Sequence, residues 1–179
     1  MPRKSVTEWA MNIAEQTKER STCCSRQVGA VIIKDKDIIS AGYNGAPSKA
    51  THCTDMGYCI RKKMGYKSGE GLEHCRAGHA ESNALDRCAK HGNSSDGATI
   101  YVTTQPCVFC TIRLIQAGIK KVVFKGEYPT DLAAKLADES GLEFIKYEEE
   151  LDNERLYQEE SYKQIPADKH AKVNVIKHN

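Results

Sequence analysis

The sequence predicts an α/β protein in which helices pack on the faces of a mixed β-sheet. Three observations lead to this prediction. Runs rich in β-branched residues alternate with amphipathic helical segments, and the first two runs are joined by a short polar link, as in a β-hairpin. The 179 residues, 40% of them hydrophobic, are enough for one domain with a substantial core and too few for two comfortable ones. We therefore expect a single domain.

The first helix and the hairpin that follows it have clear local signals. Ser5 and Glu8 form a capping-box pattern, and apolar residues then recur on one helical face. The runs QVGAVIIK and DIISAGYN are the predicted hairpin strands, joined by Asp35 to Asp37. The segment from there to Gly78 shows no clear period.

The second half of the chain alternates helix and strand. AESNALDRCAKHG is predicted to be a helix that ends at Gly92, and CVFCTIRLIQAG a helix that is stopped by Gly118. The strand ATIYVTT lies between them, the strand KKVVFK follows, and TDLAAKLADESG and LEFIKY form a last helix and strand. The core is expected to span about residues 5–146. Residues 147–179 form a highly charged extension, with some helical spacing before Pro166, which we interpret as a surface or subunit-contact element.

Composition and charge exclude several classes of function. The 26 basic and 24 acidic side chains nearly cancel, which argues against a polynucleotide partner and favours a small substrate. The N-terminus has no apolar segment typical of a secretory signal, and no stretch approaches the roughly 18 uncharged residues of a membrane span. We expect a cytoplasmic protein without a membrane partner. Its eight cysteines are then reduced thiols, metal ligands or core residues, and Cys88 is assigned to the core.

A Cys-x-x-Cys pair at the start of a predicted helix provides half of a metal site. Cys107 and Cys110 follow Pro106, so their spacing places both sulfurs on one helical face, and the helix dipole favours their thiolate forms. His79 also begins a helix after a glycine and is the obvious third ligand. Two thiolates and one neutral imidazole leave a zinc ion without net charge and with an open fourth position, where water becomes acidic near neutral pH.

Glu81 lies two residues after His79 and need not be a ligand. A carboxylate beside such a metal can take a proton from water and deliver it to a ring nitrogen and then to a leaving amine. A closed structural zinc site or a chance His-x-Glu would explain either motif alone. Together and in this order, His-x-Glu and Pro-Cys-x-x-Cys are the signature of zinc-dependent nucleobase deaminases.

More of the sequence than the zinc motif resembles one family, the deoxycytidylate (dCMP) deaminases of the cytidine deaminase superfamily. The similar blocks are SRQVGAVI, GYNGAPS, HAESNAL, GATIYVTTQPCVFC and IQAGIKKVVF. The resemblance implies a three-layer α/β/α fold with a mixed five-stranded sheet, hydrolysis of dCMP to dUMP and ammonia for thymidylate synthesis, and a homo-oligomer, usually a hexamer. It also implies activation by dCTP and inhibition by dTTP at a separate site, where Mg could accompany the triphosphate.

Candidate substrate contacts follow in part from this resemblance. It places Asn44 near the sugar and Arg26, directly before the first strand, at the 5′-phosphate, although an ordinary exposed arginine is almost as good an interpretation of Arg26. Backbone groups of residues 103–106, beginning at Thr103, and of Ala80 are candidates for holding the base. Tyr128 is a weaker phosphate candidate, with an exposed loop tyrosine as the alternative.

The long segment before Gly78 holds a second group of candidate metal ligands. A loop of this length in a compact domain usually needs a staple, and a closed structural zinc would provide one. Free thiols in a flexible loop remain an alternative. The favoured ligands are Cys23, Cys53, Cys59 and Cys75, with His74 or His52 as a substitute and Cys24 the less suitable of the adjacent pair.

The same segment carries a cluster of cations, Arg61, Lys62, Lys63 and Lys67. Such a cluster could bind the triphosphate of an effector, or it could simply keep the loop soluble.

Three other functions use parts of the same motifs. A free cytidine or deoxycytidine deaminase has the same zinc chemistry but needs no phosphate clamp. A tRNA adenosine deaminase would present a basic surface to RNA, which a net charge of +2 does not suggest. A non-catalytic zinc-bound interaction module would have no use for Glu81.

Overall fold

Five strands form one mixed sheet. The computed structural model describes residues 3–128 and 131–163. The strands are β1 (Gly29–Lys34), β2 (Asp37–Tyr43), β3 (Thr99–Thr104), β4 (Lys121–Gly126) and β5 (Glu143–Lys146), in the spatial order β2-β1-β3-β4-β5. Strand β1 is antiparallel to both of its neighbours, whereas β3, β4 and β5 are parallel. The predicted mixed five-stranded sheet is confirmed.

Helices cover both faces of this sheet. In chain order they are α1 (Val6–Lys18), α2 (Cys53–Met56), α3 (Ile60–Lys63), α4 (Ala80–His91), α5 (Val108–Gln116), α6 (Asp131–Glu139) and α7 (Tyr147–Lys163). Helices α1 and α7 pack on one face, and α4, α5 and α6 cover the other. The three-layer α/β/α arrangement implied by the resemblance is therefore confirmed.

Burial of β1 on both faces explains why its sequence is a continuous apolar run. Ala30 and Ile32 belong to the core under α4, and Val31 and Ile33 belong to the core under α1. All four side chains are at most 5% exposed. Because successive residues of a strand point to opposite faces, a strand covered on both sides needs apolar residues at every position.

The ends of the helices follow the predicted signals. The Ser5 hydroxyl accepts a hydrogen bond from Glu8 N, and Ser5 N donates to the Glu8 carboxylate, both at 3.1 Å, so the capping box is confirmed. Helix α4 ends at Gly92 and α5 ends just before Gly118. Local side-chain chemistry was sufficient to locate these boundaries because each cap is made by residues close in the sequence.

The hairpin link is shorter than the sequence suggested. Asp37 already pairs with Lys34, so only Asp35 and Lys36 form the turn. Both have positive φ angles, 51° and 71°, as a two-residue hairpin turn that matches the twist of its strands requires.

The segment without a clear period contains short helical turns. Helices α2 and α3 have four residues each, and a 3₁₀ turn covers Leu72–His74. A single turn is too short to produce a recognisable period, which is why sequence analysis missed these elements. Reciprocal backbone hydrogen bonds between Gly45 and Gly78, at 3.1 and 2.9 Å, join the two ends of the segment.

The charged extension begins as a packed helix. Helix α7 starts directly after β5, and Tyr147 packs against the core under α1. Lys121 of β4 lies 3.1 Å from carboxylate oxygens of both Glu143 in β5 and Glu150 in α7, so one cation joins three elements. The predicted subunit-contact role of residues 147–179 stays a prediction, and Pro166 lies outside the described residues.

Helix length and composition also bear on membranes. Within residues 3–128 and 131–163, no helix combines the length and the apolar content that crossing a membrane requires.

Candidate active site

The starts of two helices meet at the predicted metal site. His79 is the residue before α4 and Cys107 is the residue before α5, so each occupies the N-cap position of its helix. Helix α4 can lie directly on β2 because residue 42 is a glycine: a Cβ there would stand 2.2 Å from the carbonyl oxygen of Ala80. The close approach of α4 to the sheet therefore determines where His79 is held.

The three predicted ligands come together in space. The Nδ1 atom of His79 lies 3.4 Å from the sulfur of Cys107 and 3.3 Å from that of Cys110. A tetrahedral zinc with ordinary Zn–S and Zn–N bonds separates such ligand atoms by about 3.6 Å, so the present arrangement fits zinc with little movement. Among the described residues, these three form the one group of potential ligands that converges this closely.

The pKa values of the three triad side chains shift in different directions. Hydrogen bonding from Cys110 and His79 lowers the pKa of Cys107 despite its burial, and the same bond to Cys107, together with burial, raises the pKa of Cys110. The hydrogen bond to Cys107 likewise raises the pKa of His79. The opposite shifts describe one thiolate stabilised by a neighbouring thiol and an imidazole. A divalent cation would favour loss of both thiol protons, because coordinating thiols are deprotonated.

Glu81 is buried beside the triad. Its side chain is 4% exposed, and burial raises the pKa of its carboxyl group, although the charge of His79 acts in the opposite direction. A carboxyl group with a raised pKa can exchange a proton near neutral pH. Glu81 is therefore a buried carboxyl group at the wall of the candidate site, with its protonated form favoured by burial.

A cavity of about 330 Å³ opens in front of the triad and Glu81. This volume suits a small ligand rather than a polymer. The predicted site residues that line the cavity are Cys23, Arg26, Asn44, Cys59, Cys75, His79, Glu81, Cys107 and Tyr128. The structure thus brings most of the predicted substrate contacts to one place.

Arg26 and Tyr128 lie together at this cavity. The guanidinium carbon of Arg26 is 5.8 Å from the centre of the Tyr128 ring, within reach of a cation–π interaction. The side chain of Gln105 accepts a hydrogen bond from Tyr128 N at 3.3 Å. Gln105, which also lines the cavity, was missed by sequence analysis although it directly precedes the Pro-Cys-x-x-Cys motif.

Asn44 lines the cavity, but its amide is engaged by the protein. Its Oδ1 accepts from the Ser21 hydroxyl at 2.7 Å and from Val28 N at 2.8 Å, and its Nδ2 donates to the Arg26 carbonyl at 2.7 Å. These three bonds hold the segment of residues 21–28, which carries Arg26. Sequence analysis had no signal for this role because the bonded groups are 16 to 23 residues away.

Thr103 does not join the described residues that line the cavity. Its hydroxyl accepts a hydrogen bond from Gly29 N at 3.1 Å, which ties β3 to the start of β1. Thr104 lines the cavity instead, because side chains alternate along a strand, and so does Gln105, which follows the end of β3. The prediction concerned backbone groups of residues 103–106, and it stays a prediction.

The second group of cysteines gathers around Cys53 without forming a tight cluster. Burial raises the pKa of Cys53, and proximity to Cys23, Cys24, Cys59 and Cys75 raises it further. In the described part of the chain, however, these thiols do not approach one another as closely as the ligands of the first site.

The remaining candidates are placed elsewhere. His74 stacks on Tyr66, with the ring centres 5.5 Å apart, and lies 3.5 Å from the Glu73 carboxylate. His52 begins α2 next to Cys53. Cys88 is 2% exposed, so its assignment to the core is confirmed.

The fold and the site together identify a class of protein. A model of the cytidine and deoxycytidylate deaminase zinc-binding region matches residues 4–125, which include Glu81 and the whole metal triad. The chain therefore belongs to the cytidine and deoxycytidylate deaminase family.

Several individual members are similar to this chain. ComE operon protein 2 of Bacillus subtilis (strain 168) is 40% identical over 144 residues, which cover 79% of this chain and 71% of the relative. The deoxycytidylate deaminase of Mycobacterium phage D29 is 38% identical over 132 residues, which cover 71% and 99%. The crystal structure of the dCMP deaminase from cyanophage S-TIM5, in complex with dCMP and dUMP, matches with a TM-score of 0.67 at 31% identity, covering 82% and 99%.

Proposed function

We propose that this protein is a zinc-dependent deaminase that hydrolyses dCMP to dUMP and ammonia and so supplies thymidylate synthesis. The observation that carries the proposal is the buried Glu81 beside the triad of His79, Cys107 and Cys110, at the wall of a cavity that also presents Arg26. The similarity to a dCMP deaminase whose structure holds both dCMP and dUMP supports this choice of substrate.

The donor set of the triad suits zinc. Two thiols and one imidazole nitrogen are zinc ligands of the kind found in catalytic sites, which leave a fourth position open. Zinc in such a site supplies the positive charge that makes a water molecule acidic near neutral pH. His79, Cys107 and Cys110 would hold the ion at the starts of α4 and α5.

Glu81 would carry the protons of the reaction. Water adds its oxygen to C4 of the cytosine ring, and the carboxylate takes one proton from this water and gives it to N3. A second proton moves by the same route to the exocyclic nitrogen, the C4–N bond breaks, and ammonia leaves. The two water protons thus end on N3 and on the departing nitrogen, and the oxygen remains on C4.

Arg26 would bind the 5′-phosphate, with Tyr128 beside it. The guanidinium group can bond two phosphate oxygens at once, which fits a nucleotide better than a free nucleoside. Asn44 would act on the substrate indirectly, since its amide already bonds to Arg26, Val28 and Ser21. This arrangement favours dCMP over deoxycytidine as substrate.

A second zinc would organise the segment that covers the cavity. Burial raises the pKa of Cys53, and four neighbouring cysteines lie close enough to raise it further. Of the four buried side-chain polar atoms that lack a hydrogen-bond partner among the described residues, three belong to Thr22, His52 and Arg76, each adjacent in sequence to one of these cysteines. Cys23, Cys53, Cys59 and Cys75 remain the favoured ligands, with His74 or His52 as a substitute. Elemental analysis of protein prepared without chelators should then find two zinc ions per chain.

Regulation and assembly extend the proposal. We propose that the protein forms a homohexamer. We also propose that dCTP activates it and dTTP inhibits it, with Mg accompanying the triphosphate. Exposed apolar side chains on α5 and α6, such as Phe109, Ile112 and Leu132, are consistent with contact between subunits. The eight cysteines are all unpaired, which suits the reducing conditions of the cytoplasm.

One assay tests the reaction and the substrate together. The purified protein is incubated with dCMP, CMP, deoxycytidine and adenosine, with and without dCTP or dTTP, and ammonia release is measured. We expect turnover of dCMP well above that of deoxycytidine and none of adenosine. Preferential turnover of deoxycytidine would favour a nucleoside deaminase, and no turnover in a zinc-replete preparation would contradict the proposal.

A further inference from the structure

The cations of the segment between α2 and α4 face the substrate cavity. Arg61, Lys62 and Lys67 line the same cavity as Glu81 and Arg26. Among the described side chains, no carboxylate lies within 4.0 Å of the charged nitrogens of these three cations or of Arg26, whereas Lys18, Lys121, Lys125 and Lys146 all have such a partner. The lining thus holds several positive charges without an ion-pair partner, and its acidic groups, Glu81 and Cys107, belong to the candidate catalytic site.

Arg61 is fixed within this group by the backbone. Its Nε donates to the Glu70 carbonyl at 2.7 Å, and its Nη2 donates to the Lys67 carbonyl at 3.1 Å. Lys67 N in turn donates to the Glu70 carboxylate at 2.9 Å. A guanidinium group has five N–H donors, so three remain for a ligand. We call residues 61–70 the Arg61 loop.

The Arg61 loop touches the same tyrosine as Arg26. At Gly69, which has a φ of 90°, a Cβ would stand only 3.2 Å from the Tyr128 hydroxyl oxygen. The other side of the contact is the Arg26 guanidinium over the Tyr128 ring. Burial raises the pKa of Tyr128, and the charges of Arg61 and Arg26 both oppose this rise, as expected if both cations lie near the hydroxyl. Tyr128 therefore lies between Arg26 and Gly69 of the Arg61 loop.

We propose that the Arg61 loop is a second half of the phosphate-binding site, in which Arg61 binds the 5′-phosphate together with Arg26 and so determines the preference for a nucleotide over a nucleoside. The inference rests on the proposed function and deepens it. A phosphate monoester carries up to two negative charges and several acceptor oxygens, so two fixed guanidinium groups match it better than one. The loop would then serve the substrate rather than a separate effector site.

Lys63 provides a matched control. It belongs to the same loop and has the same charge, but its ammonium lies 4.4 Å from the centre of the Tyr58 ring, and it is not among the described residues that line the cavity. Arg61→Gln and Lys63→Gln each remove one positive charge within three residues of sequence. Only the former removes a charge from the cavity.

The test measures kcat/KM for dCMP and for deoxycytidine in the wild type and both variants. In Arg61→Gln, we expect kcat/KM for dCMP to fall about 10- to 100-fold, the range for loss of a hydrogen bond to a charged group, with little change for deoxycytidine. Lys63→Gln should resemble the wild type on both substrates. Inorganic phosphate should inhibit dCMP turnover in the wild type, and this inhibition should weaken in Arg61→Gln alone.

Other outcomes separate the failures. If the wild type does not turn over dCMP, the proposed function fails, whatever Arg61 does. If the wild type does turn over dCMP, but kcat/KM falls equally for both substrates in Arg61→Gln, the Arg61→Lys variant is measured next. A retained preference for dCMP in Arg61→Lys supports the binding role, and an equal fall in kcat/KM for both substrates overturns it. If Arg61→Gln changes only the response to dCTP, the loop belongs to an effector site and the inference is wrong.

Discussion

At the scale of single residues, Glu81 combines burial with a position next to a zinc-binding triad. The carboxyl group is 4% exposed and its pKa is raised by burial. Burial of an ionisable side chain lowers the stability of the folded protein, so a position of this kind suggests a functional role. The proposed role of Glu81 is proton transfer, for which a carboxyl group with a raised pKa is suited.

Glu81→Gln should separate this role from that of the metal. The amide has almost the same shape but cannot carry a proton, so we expect kcat to fall by about 10²- to 10⁴-fold, as is usual for loss of a general acid–base group. Zinc content, measured by elemental analysis, should be unchanged. Substantial turnover in a zinc-replete variant would contradict the assignment.

Asn44→Ala should weaken phosphate binding without touching the phosphate. The substitution removes the bonds to Ser21, Val28 and Arg26, so the segment that carries Arg26 loses its support. We expect KM for dCMP to rise more than KM for deoxycytidine, with kcat changed less. Ser21→Ala is a comparison variant: it leaves the Asn44 bonds to Val28 and Arg26 in place but removes the Ser21 hydroxyl's bonds to the Asn44 side chain, the Asn44 carbonyl and Cys23 N, and it should have a smaller effect of the same kind. An equal rise of both KM values would instead point to a general loss of structure.

At the scale of secondary-structure elements, the position of α7 depends on Lys121. The ammonium group lies 3.1 Å from both Glu143 and Glu150, and Glu150 is 8% exposed. Burial lowers the pKa of Lys121, but the hydrogen bonds and charges of the two glutamates outweigh it, so the net pKa is raised. This ion-pair group holds β4, β5 and α7 together.

The raised pKa of Lys121 makes a prediction about alkaline pH. A lysine whose pKa is higher in the folded state stabilises the protein fully below the unfolded value of 10.5, and this contribution is lost as the pH rises through the folded pKa. Lys121→Met should therefore lower the free energy of unfolding by about 1–2 kcal/mol near pH 7, given the partial exposure of the group. The difference from the wild type should shrink above pH 10.5.

Denaturant unfolding from pH 7 to 12 measures this difference. Burial also raises the pKa values of Tyr101 and Tyr147, so tyrosine ionisation lowers stability in the same alkaline range. Both proteins share the Tyr147 part of this loss, but the charge of Lys121 also lowers the pKa of Tyr101. The comparison is therefore made in a Tyr101→Phe background, where subtracting one curve from the other removes the tyrosine contribution. A difference that stays constant to pH 12 would show that Lys121 acts through packing alone.

At the scale of the whole molecule, the two proposed metal sites should contribute differently. The ion in an open catalytic site contributes little to the free energy of folding. In a closed tetrahedral site, by contrast, metal binding is coupled to folding and stabilises the folded protein. The first site lies on two helix starts already held by the sheet. The second would tie a segment whose described helices, α2 and α3, have four residues each.

Paired cysteine substitutions test this difference. Cys107→Ser with Cys110→Ser should lose one zinc and all activity while keeping most of the stability. Cys53→Ser with Cys75→Ser should lose the other zinc and destabilise the protein by about 3–4 kcal/mol, the effect of an ion present at several hundred times its dissociation constant. Hydrogen exchange should rise within residues 52–78 in the second variant. A single zinc in the wild type would refute the second site and leave the first intact.

The sequence by itself determined the order of the main elements and the residues that converge in the metal triad, and it predicted Glu81 as the proton carrier beside them. These features have local signals: β-branched runs, caps such as Ser5 with Glu8, and His79, Glu81, Cys107 and Cys110 in motifs of fixed spacing. Spacing of this kind carries information because a helix start places neighbouring residues predictably. The fold class followed from the same signals together with the resemblance.

Only the tertiary structure decided which other side chains reach the cavity. It placed Arg61 and Lys67 at the cavity, engaged Asn44 with Ser21 and Val28, and turned Thr103 toward Gly29. These contacts join residues that are far apart in sequence or lie in a segment without a period. Because they depend on how helices, strands and loops pack, no local pattern of residues could specify them.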